Sequence, residues 1–234
     1  MNLLRPAWLS AGLALLLSGA GAVAQGTFQN LGFESATVVG PPGTSVNFGQ
    51  AFPGWTGYVG GVQRSGASYD SVPMSTAGFS ILDTGFSGPS VAGVIAGNFT
   101  AFLMSGAAGP GQQADTTLAQ TGLVPVGTES SLFKAQLFSA FEFFSVTLGG
   151  KTLSLTPLQS GSNYTLYGAD IHAWAGQTAA LAFTSFYPHP QVGQIPVYLD
   201  AIEFSTQSIP EPSVFGLAPL AALLLGWRVL GRRR

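Results

Sequence analysis

Short apolar and polar segments alternate along the middle of the chain, and no stretch keeps a helical period over three turns. The segments are rich in Phe, Val, Thr and Leu. They are separated by Gly, Pro, Ser and Asn, a pattern typical of strands joined by turns. The pattern therefore predicts an all-β body over residues 25–208. The clearest predicted strands are residues 98–104, 132–138, 163–167, 178–186 and 197–205.

The stretch FFSVTLGGKTLSL, residues 143–155, gives the strongest local prediction. Gly149 and Gly150 form a two-residue hairpin turn, which requires positive φ angles. Two strands meeting at this turn agree on one apolar and one polar face, so the register is well specified. The predicted apolar pairs are Val146 with Leu153 and Phe144 with Leu155, and the polar pairs are Thr147 with Thr152 and Ser145 with Ser154.

Several strands at short spacing over this body predict one domain, built as an antiparallel, jelly-roll-like β-sandwich of two sheets. The segment GADIHAWAGQT, between two of the strands, predicts a turn with a short helical piece. The first half of the body is less regular and defines fewer strands.

The N-terminal residues 1–24 have the pattern of a secretory signal peptide. Arg5 supplies a positive charge, residues 7–17 are apolar, and Ala22 and Ala24 form a small-residue cleavage pattern. We expect cleavage before Gln25, and an uncleaved N-terminal helix is the alternative.

The C-terminal apolar stretch predicts a marginal transmembrane helix. Fourteen uncharged residues, 214–227, would rise about 21 Å as a helix, and residues 213–231 would rise about 28 Å, against a bilayer core of about 30 Å. The longer count includes Arg228, which is near enough to the end for its side chain to reach the headgroups. The terminal Arg232, Arg233 and Arg234 would stay cytoplasmic, which places the body outside.

The order of parts at this end is specific. Pro210-Glu211-Pro212 precedes the apolar span, and an arginine cluster follows it. Residues 209–234 thereby resemble the PEP-CTERM sorting segment of Gram-negative bacteria. The resemblance implies export, processing by an exosortase, and an inner-membrane-anchored precursor that moves to the cell surface or extracellular matrix. It also implies an association with extracellular polysaccharide or biofilm. The alternative is an ordinary stop-transfer anchor.

Charge and cysteine content narrow the function classes. Charged residues are 8% of the chain, against roughly 25% in an average soluble domain. Residues 25–208 hold three cations and nine carboxylates, a net charge of −6. A body without a basic patch is a poor partner for nucleic acid, so none is expected. There is no cysteine, which excludes disulfides and thiolate chemistry.

Segments near both ends of the body are similar to the galactose-binding-like modules of secreted bacterial proteins. They are FQNLGFESA and FPGWTGY near the front, and DIHAWAGQTAALAFTSF and VYLDAIEFS near the back. The resemblance implies a jelly-roll fold and, at Glu34 and Asp200, a structural Ca²⁺ site. Independently, Asp200 shares a strand face with Tyr198, Ile202 and Phe204, which predicts that it points inward.

A buried carboxylate needs a partner, and a calcium ion is one solution. Hydrogen bonds from backbone amides are another. A third is a strand register in which Leu199 and Ala201 point inward instead.

Glycan binding would require exposed aromatic platforms. Trp55, Tyr58, Trp174 and Tyr187 are the candidates, but Trp55 and Trp174 are also the residues that such a sandwich would use in its core. No sugar site is therefore assigned.

Catalytic residues are not indicated by any motif. The histidines are His172 and His189, and neither HExxH nor GxSxG occurs. A glycosidase needs two carboxylates roughly 5–10 Å apart; the available ones are Glu142, Asp170, Asp200 and Glu203. The sequence therefore favours a non-enzymatic exported protein. A carbohydrate-binding module is the second interpretation, and a hydrolase whose site is formed by distant residues is the third.

Overall fold

The computed structural model describes residues 27–72, 76–86, 93–137, 143–187 and 195–209. In these ranges the chain is mostly β-sheet, with very little helix. The elements in chain order are β1 (Ser45–Asn47), α1 (Phe48–Ala51), β2 (Thr56–Val59), β3 (Val62–Gln63), β4 (Gly66–Tyr69), β5 (Gly78–Asp83), β6 (Phe99–Gly109), β7 (Gln112–Ala114), β8 (Thr116–Leu123), β9 (Ser130–Leu137), β10 (Phe144–Leu148), β11 (Lys151–Thr152), β12 (Thr156–Ser160), β13 (Thr165–Asp170), a 3₁₀ turn (His172–Trp174), β14 (Thr178–Ser185) and β15 (Ile195–Ser205).

The strands of the described residues form two sheets. One has nine strands in the order β1-β4-β5-β6-β15-β9-β13-β12, with β7 also paired to β6. The other has six strands in the order β11-β10-β14-β8-β2-β3. β4 and β5 are parallel, which sets them apart from the antiparallel strands on either side of them. The predicted all-β body of two sheets is confirmed.

The five strands predicted from the pattern correspond to β6, β9, β13, β14 and β15, with ends shifted by a few residues. The short helical piece in GADIHAWAGQT is also confirmed as the 3₁₀ turn. The first half contains β1 to β5, which the pattern did not define. Four of these strands have two to four residues, too few to show a period of two.

The predicted hairpin is confirmed only next to its turn. Gly149 and Gly150 have φ angles of 57° and 78°, and Thr147 pairs with Thr152. The Leu153 N–H donates to the Val146 carbonyl at 2.9 Å. The longer pairing is wrong, because β11 ends at Thr152 and the chain then crosses to the other sheet as β12.

Aromatic side chains join the two sheets. Phe183 of β14 lies with its ring centroid 5.4 Å from that of Phe133 on β9, in the opposite sheet. The centroid of the Phe183 ring also lies 6.2 Å from that of Trp55 and 6.4 Å from that of Phe144. All four side chains are buried. Such large apolar groups provide most of the hydrophobic stabilisation of the core.

The nine-stranded sheet also buries side chains on its outer face. Phe102 of β6 and Tyr198 of β15 have centroids 4.8 Å apart, and they form a second cluster with Leu82, Ile95 and Met104. Ile95 belongs to the segment that leads into β6, here called the 95–100 loop, whose last two residues are also the first two of β6. This segment therefore packs against the outer face of the sheet.

Candidate functional site

Asp200 is fully buried on the outer face of the nine-stranded sheet. Its Oδ2 accepts hydrogen bonds from the Ala96 N–H at 3.0 Å and the Thr100 hydroxyl at 2.6 Å, while Oδ1 accepts from the Ala201 N–H at 2.6 Å. Leu199 points into the core between the sheets. The carboxylate is thus buried beneath the 95–100 loop rather than between the two sheets.

The sequence predicted that Asp200 shares an inward face with Tyr198, Ile202 and Phe204. A β-bulge explains why this prediction is only partly right. The register of β15 with β9 shifts between Asp200 and Glu203, and Ala201 has a φ of 48°. Because the extra residue breaks the period of two, Ile202 faces the core between the sheets although Asp200 does not. The Ile202 N–H then donates to the Leu31 carbonyl at 3.0 Å, which joins the two ends of the body.

Glu34 holds the same loop from the solvent side. Its side chain is exposed, and its oxygens accept from the Asn98 N–H at 2.9 and 3.0 Å and from the Phe99 N–H at 3.1 Å. The Asn98 side-chain amide donates a further bond at 2.9 Å. We call Glu34 and Asp200, with the loop between them, the carboxylate clasp.

Gly97 makes this close approach feasible. Its φ is +63°, and a Cβ placed there would overlap the Glu34 Oε1 atom. Glycine alone provides both the left-handed backbone and the empty space. Within the loop, the Ile95 N–H also donates to the Thr100 hydroxyl at 2.8 Å.

The two carboxylates of the clasp differ in their electrostatics. Burial raises the pKa of Asp200 to about 6, against opposing hydrogen bonds from Thr100, Ala201 and Ala96. The charge of Glu34 makes a smaller contribution to this same rise. For Glu34, burial acts in the same direction, but the donors from Phe99 and Asn98 outweigh it, so its pKa lies below the ordinary value.

Calcium coordination at Glu34 and Asp200 would require lone pairs that face the ion. Calcium takes roughly six to eight oxygen ligands. Here all four carboxylate oxygens already accept hydrogen bonds. Within the described ranges there is no cluster of three or more His, Asp or Glu side chains suited to a metal. The observed contacts therefore fit the alternative in which hydrogen bonds, and not a metal ion, satisfy the buried carboxylate. Calcium binding stays a prediction, which removal of calcium by a chelator can test.

A second carboxyl cluster lies where β4 meets β5. The Tyr69 hydroxyl donates to Asp83 Oδ2 at 2.5 Å, and the Asp83 N–H donates to Asp70 Oδ1 at 2.8 Å. Burial is the main cause that raises the pKa of Asp70 to about 6. The side-chain contact with Asp83 and its charge contribute to this rise, and the hydrogen bond from the Asp83 N–H opposes it. Asp83 has a lowered pKa because the bonds from Tyr69, Gly85 and Asp70 outweigh burial. The cluster depends on a parallel strand pair that no local pattern indicates, so sequence reasoning missed it.

The four aromatic candidates for glycan binding have separate environments. Trp55 is a core residue whose Nε1–H donates to the Asn30 carbonyl at 3.1 Å. Trp174 packs against the core and covers the Gly149 turn. Tyr58 is half-buried on β2, and the Tyr187 N–H donates to Asp115 at 2.7 Å. The predicted core role is confirmed for Trp55, whereas Trp174 is half-buried and packs against the edge of the core.

The candidate catalytic residues are only partly described. His172 Nδ1 lies 2.7 Å from Asp170 Oδ1, with both side chains exposed. The hydrogen bond and charge of Asp170 raise the pKa of His172, and bonds from His172 lower that of Asp170. Glu203 is exposed on β15. His189 and Glu142 lie outside the described residues.

The sorting residues also lie outside the described residues: Pro210, Glu211, Pro212, Arg228, Arg232, Arg233 and Arg234, together with the signal segment 1–24. Among the described helices, none has the length and apolar character needed to cross a membrane. The predicted span at residues 213–231 is not part of that finding.

No protein-family model matches the chain, and no curated protein sequence matches it.

Proposed function

We propose that the chain is an exported, non-enzymatic protein of the envelope or extracellular matrix of a Gram-negative bacterium. The observation that carries this proposal is the order of parts at residues 209–234, where Pro-Glu-Pro precedes an apolar stretch and a terminal arginine cluster. A signal-peptide pattern at the other end agrees in orientation with this arrangement.

In this proposal the C-terminal segment first anchors the precursor in the inner membrane. An exosortase-type enzyme then processes it, and the β-sheet body is released to the cell surface or matrix, in association with extracellular polysaccharide. The body carries the proposed galactose-binding-like jelly roll. The contact between Ile202 and Leu31, which joins segments near both ends of the body, supports that finer assignment.

The test is the intact mass of the protein recovered from the cell surface and medium of its host. We expect loss of residues 1–24 and of the segment after Pro212. Glu211→Ala should retain the C-terminal segment and accumulate in membranes. Glu203→Ala, which removes an exposed carboxylate of the body, is the charge-matched control and should be processed normally.

A wild-type mass that extends to Arg234, found only in membranes, would refute the sorting proposal. The chain would then be a plain single-pass anchored protein.

A further inference from the structure

A groove opens where β4 and β5 diverge. The parallel ladder between them begins at Ser68 and Ser80 and continues at Tyr69 and Ile81. Before that point the strands separate and leave a groove of about 470 Å³, within the roughly 300–1,000 Å³ typical of small-molecule sites. Its floor is formed by buried Phe79, Ala67 and Ala77, and its polar lining side chains are Ser45, Arg64, Ser65, Ser68 and Thr76.

Main-chain groups face this groove at the point where the ladder begins. The Asp70 N–H donates to the Ile81 carbonyl at 3.0 Å, which fixes the side of each strand that faces the other. By alternation, the Gly66 carbonyl and the Phe79 N–H lie on these facing sides. If the ladder extended one residue further towards the start of each strand, the Phe79 N–H would donate to the Gly66 carbonyl, but the pairing begins only at Ser68 and Ser80. The groove therefore offers a backbone donor and a backbone acceptor.

Arg64 is the cation at this groove. Its backbone is fixed by the Arg64 N–H, which donates to the Gly57 carbonyl at 2.9 Å. Its guanidinium makes no ion pair or hydrogen bond with any other described residue. By contrast, the Lys134 ammonium lies 4.9 Å from the ring centre of Tyr164, and the Lys151 ammonium lies 5.9 Å from that of Trp174. None of the described residues that line the groove is a carboxylate, although the body carries a net charge of −6.

We propose that this groove binds a sugar acid. The guanidinium of Arg64 would take the carboxylate, because its planar donors match two carboxylate oxygens. The serine and threonine hydroxyls, with the backbone groups, would bind the hydroxyls of the sugar ring. This surface suits a polyhydroxylated ligand better than a peptide with apolar side chains. The inference does not depend on the sorting proposal, and either can fail without the other.

The test is calorimetric titration of the full chain, purified in detergent, with three probes. Trigalacturonic acid carries both carboxylates and sugar hydroxyls, galactotriose lacks the carboxylates, and succinate lacks the sugar. We expect trigalacturonic acid to bind at least about ten-fold more tightly than either of the other probes, because a charged hydrogen-bonded pair contributes that much. The difference should shrink as salt is added.

Arg64→Gln should remove the preference for the acid. Lys134→Gln makes the same change of charge away from the groove and should keep it. Thr76→Trp, at an exposed wall position, should weaken binding of trigalacturonic acid and galactotriose alike.

Equal affinity for acidic and neutral sugars, or an unchanged preference in Arg64→Gln, would overturn the proposal. Succinate binding as tightly as trigalacturonic acid would overturn the assignment to sugars. Should Arg64→Gln fail to fold, the salt dependence and Thr76→Trp still decide the outcome.

Discussion

Gly97 is the position at which the carboxylate clasp can be tested most directly. Gly97→Ala introduces a side chain at a φ of +63° and places its Cβ onto the Glu34 Oε1 atom. Glu34 must then move away from the loop and lose its bonds to Asn98 and Phe99. The substitution therefore combines backbone strain with loss of the clasp, and these two effects can be separated.

The magnitude follows from the two parts. A left-handed conformation costs an alanine about 1–2 kcal/mol relative to glycine. Loss of hydrogen bonds to an exposed carboxylate adds about 1 kcal/mol, since water replaces part of them. We expect Gly97→Ala to lower the free energy of unfolding by about 2–3 kcal/mol. Gly93→Ala, with a φ of +69° and open space around the added Cβ, should lose only the strain part.

Urea unfolding of the full chain, followed by circular dichroism, measures both variants. The same pair is then made in a Glu34→Ala background, where the excess effect of Gly97→Ala over Gly93→Ala should disappear. Equal destabilisation by the two alanines in the wild-type background would refute the clasp. So would an excess for Gly97→Ala that persists without Glu34.

Three further predictions concern pH, packing and metal. The folded pKa of Asp70, about 6, lies above the ordinary value of 3.8, so the stability that this group contributes at low pH is lost as pH rises through about 6. Asp70→Asn should reduce this fall in unfolding free energy with pH by about 1–3 kcal/mol, whereas the control Glu203→Gln should keep it. Parallel curves of unfolding free energy against pH for wild type and Asp70→Asn would contradict the raised pKa of Asp70. Phe183→Ala should destabilise by about 3–5 kcal/mol in urea unfolding, and partly exposed Phe186→Ala by much less, because only the first leaves a core cavity. The urea midpoint should be the same in calcium and in a chelator, since hydrogen bonds already occupy the carboxylate oxygens of Asp200; a midpoint raised by calcium and lost in Asp200→Asn would instead support a metal site.

The candidate site could be predicted in part. The sequence identified Asp200 as a residue with an unusual environment, because a carboxylate on a strand face with Tyr198, Ile202 and Phe204 needs an explanation. It did not identify Thr100 or the amide of Ala96 as the partners. Those contacts join residues 100 or more positions apart in the chain, and no local pattern encodes them.

The amino-acid sequence by itself determined the features that rest on neighbouring residues. Alternation defined β6, β9, β13, β14 and β15, and two adjacent glycines defined the hairpin turn, because side-chain period and turn geometry are local properties. The signal and sorting assignments also rest on the sequence and stay predictions.

The tertiary structure decided what depends on pairing between distant segments. The bulge at Ala201 placed Asp200 and Ile202 on opposite faces of the sheet, since one extra residue reverses which side of the sheet a side chain occupies. The parallel pairing of β4 with β5 brought Asp70 to Asp83 and opened the groove beside Arg64. Short strands carry too little pattern to specify their own partners, so packing of the whole sheet selects them.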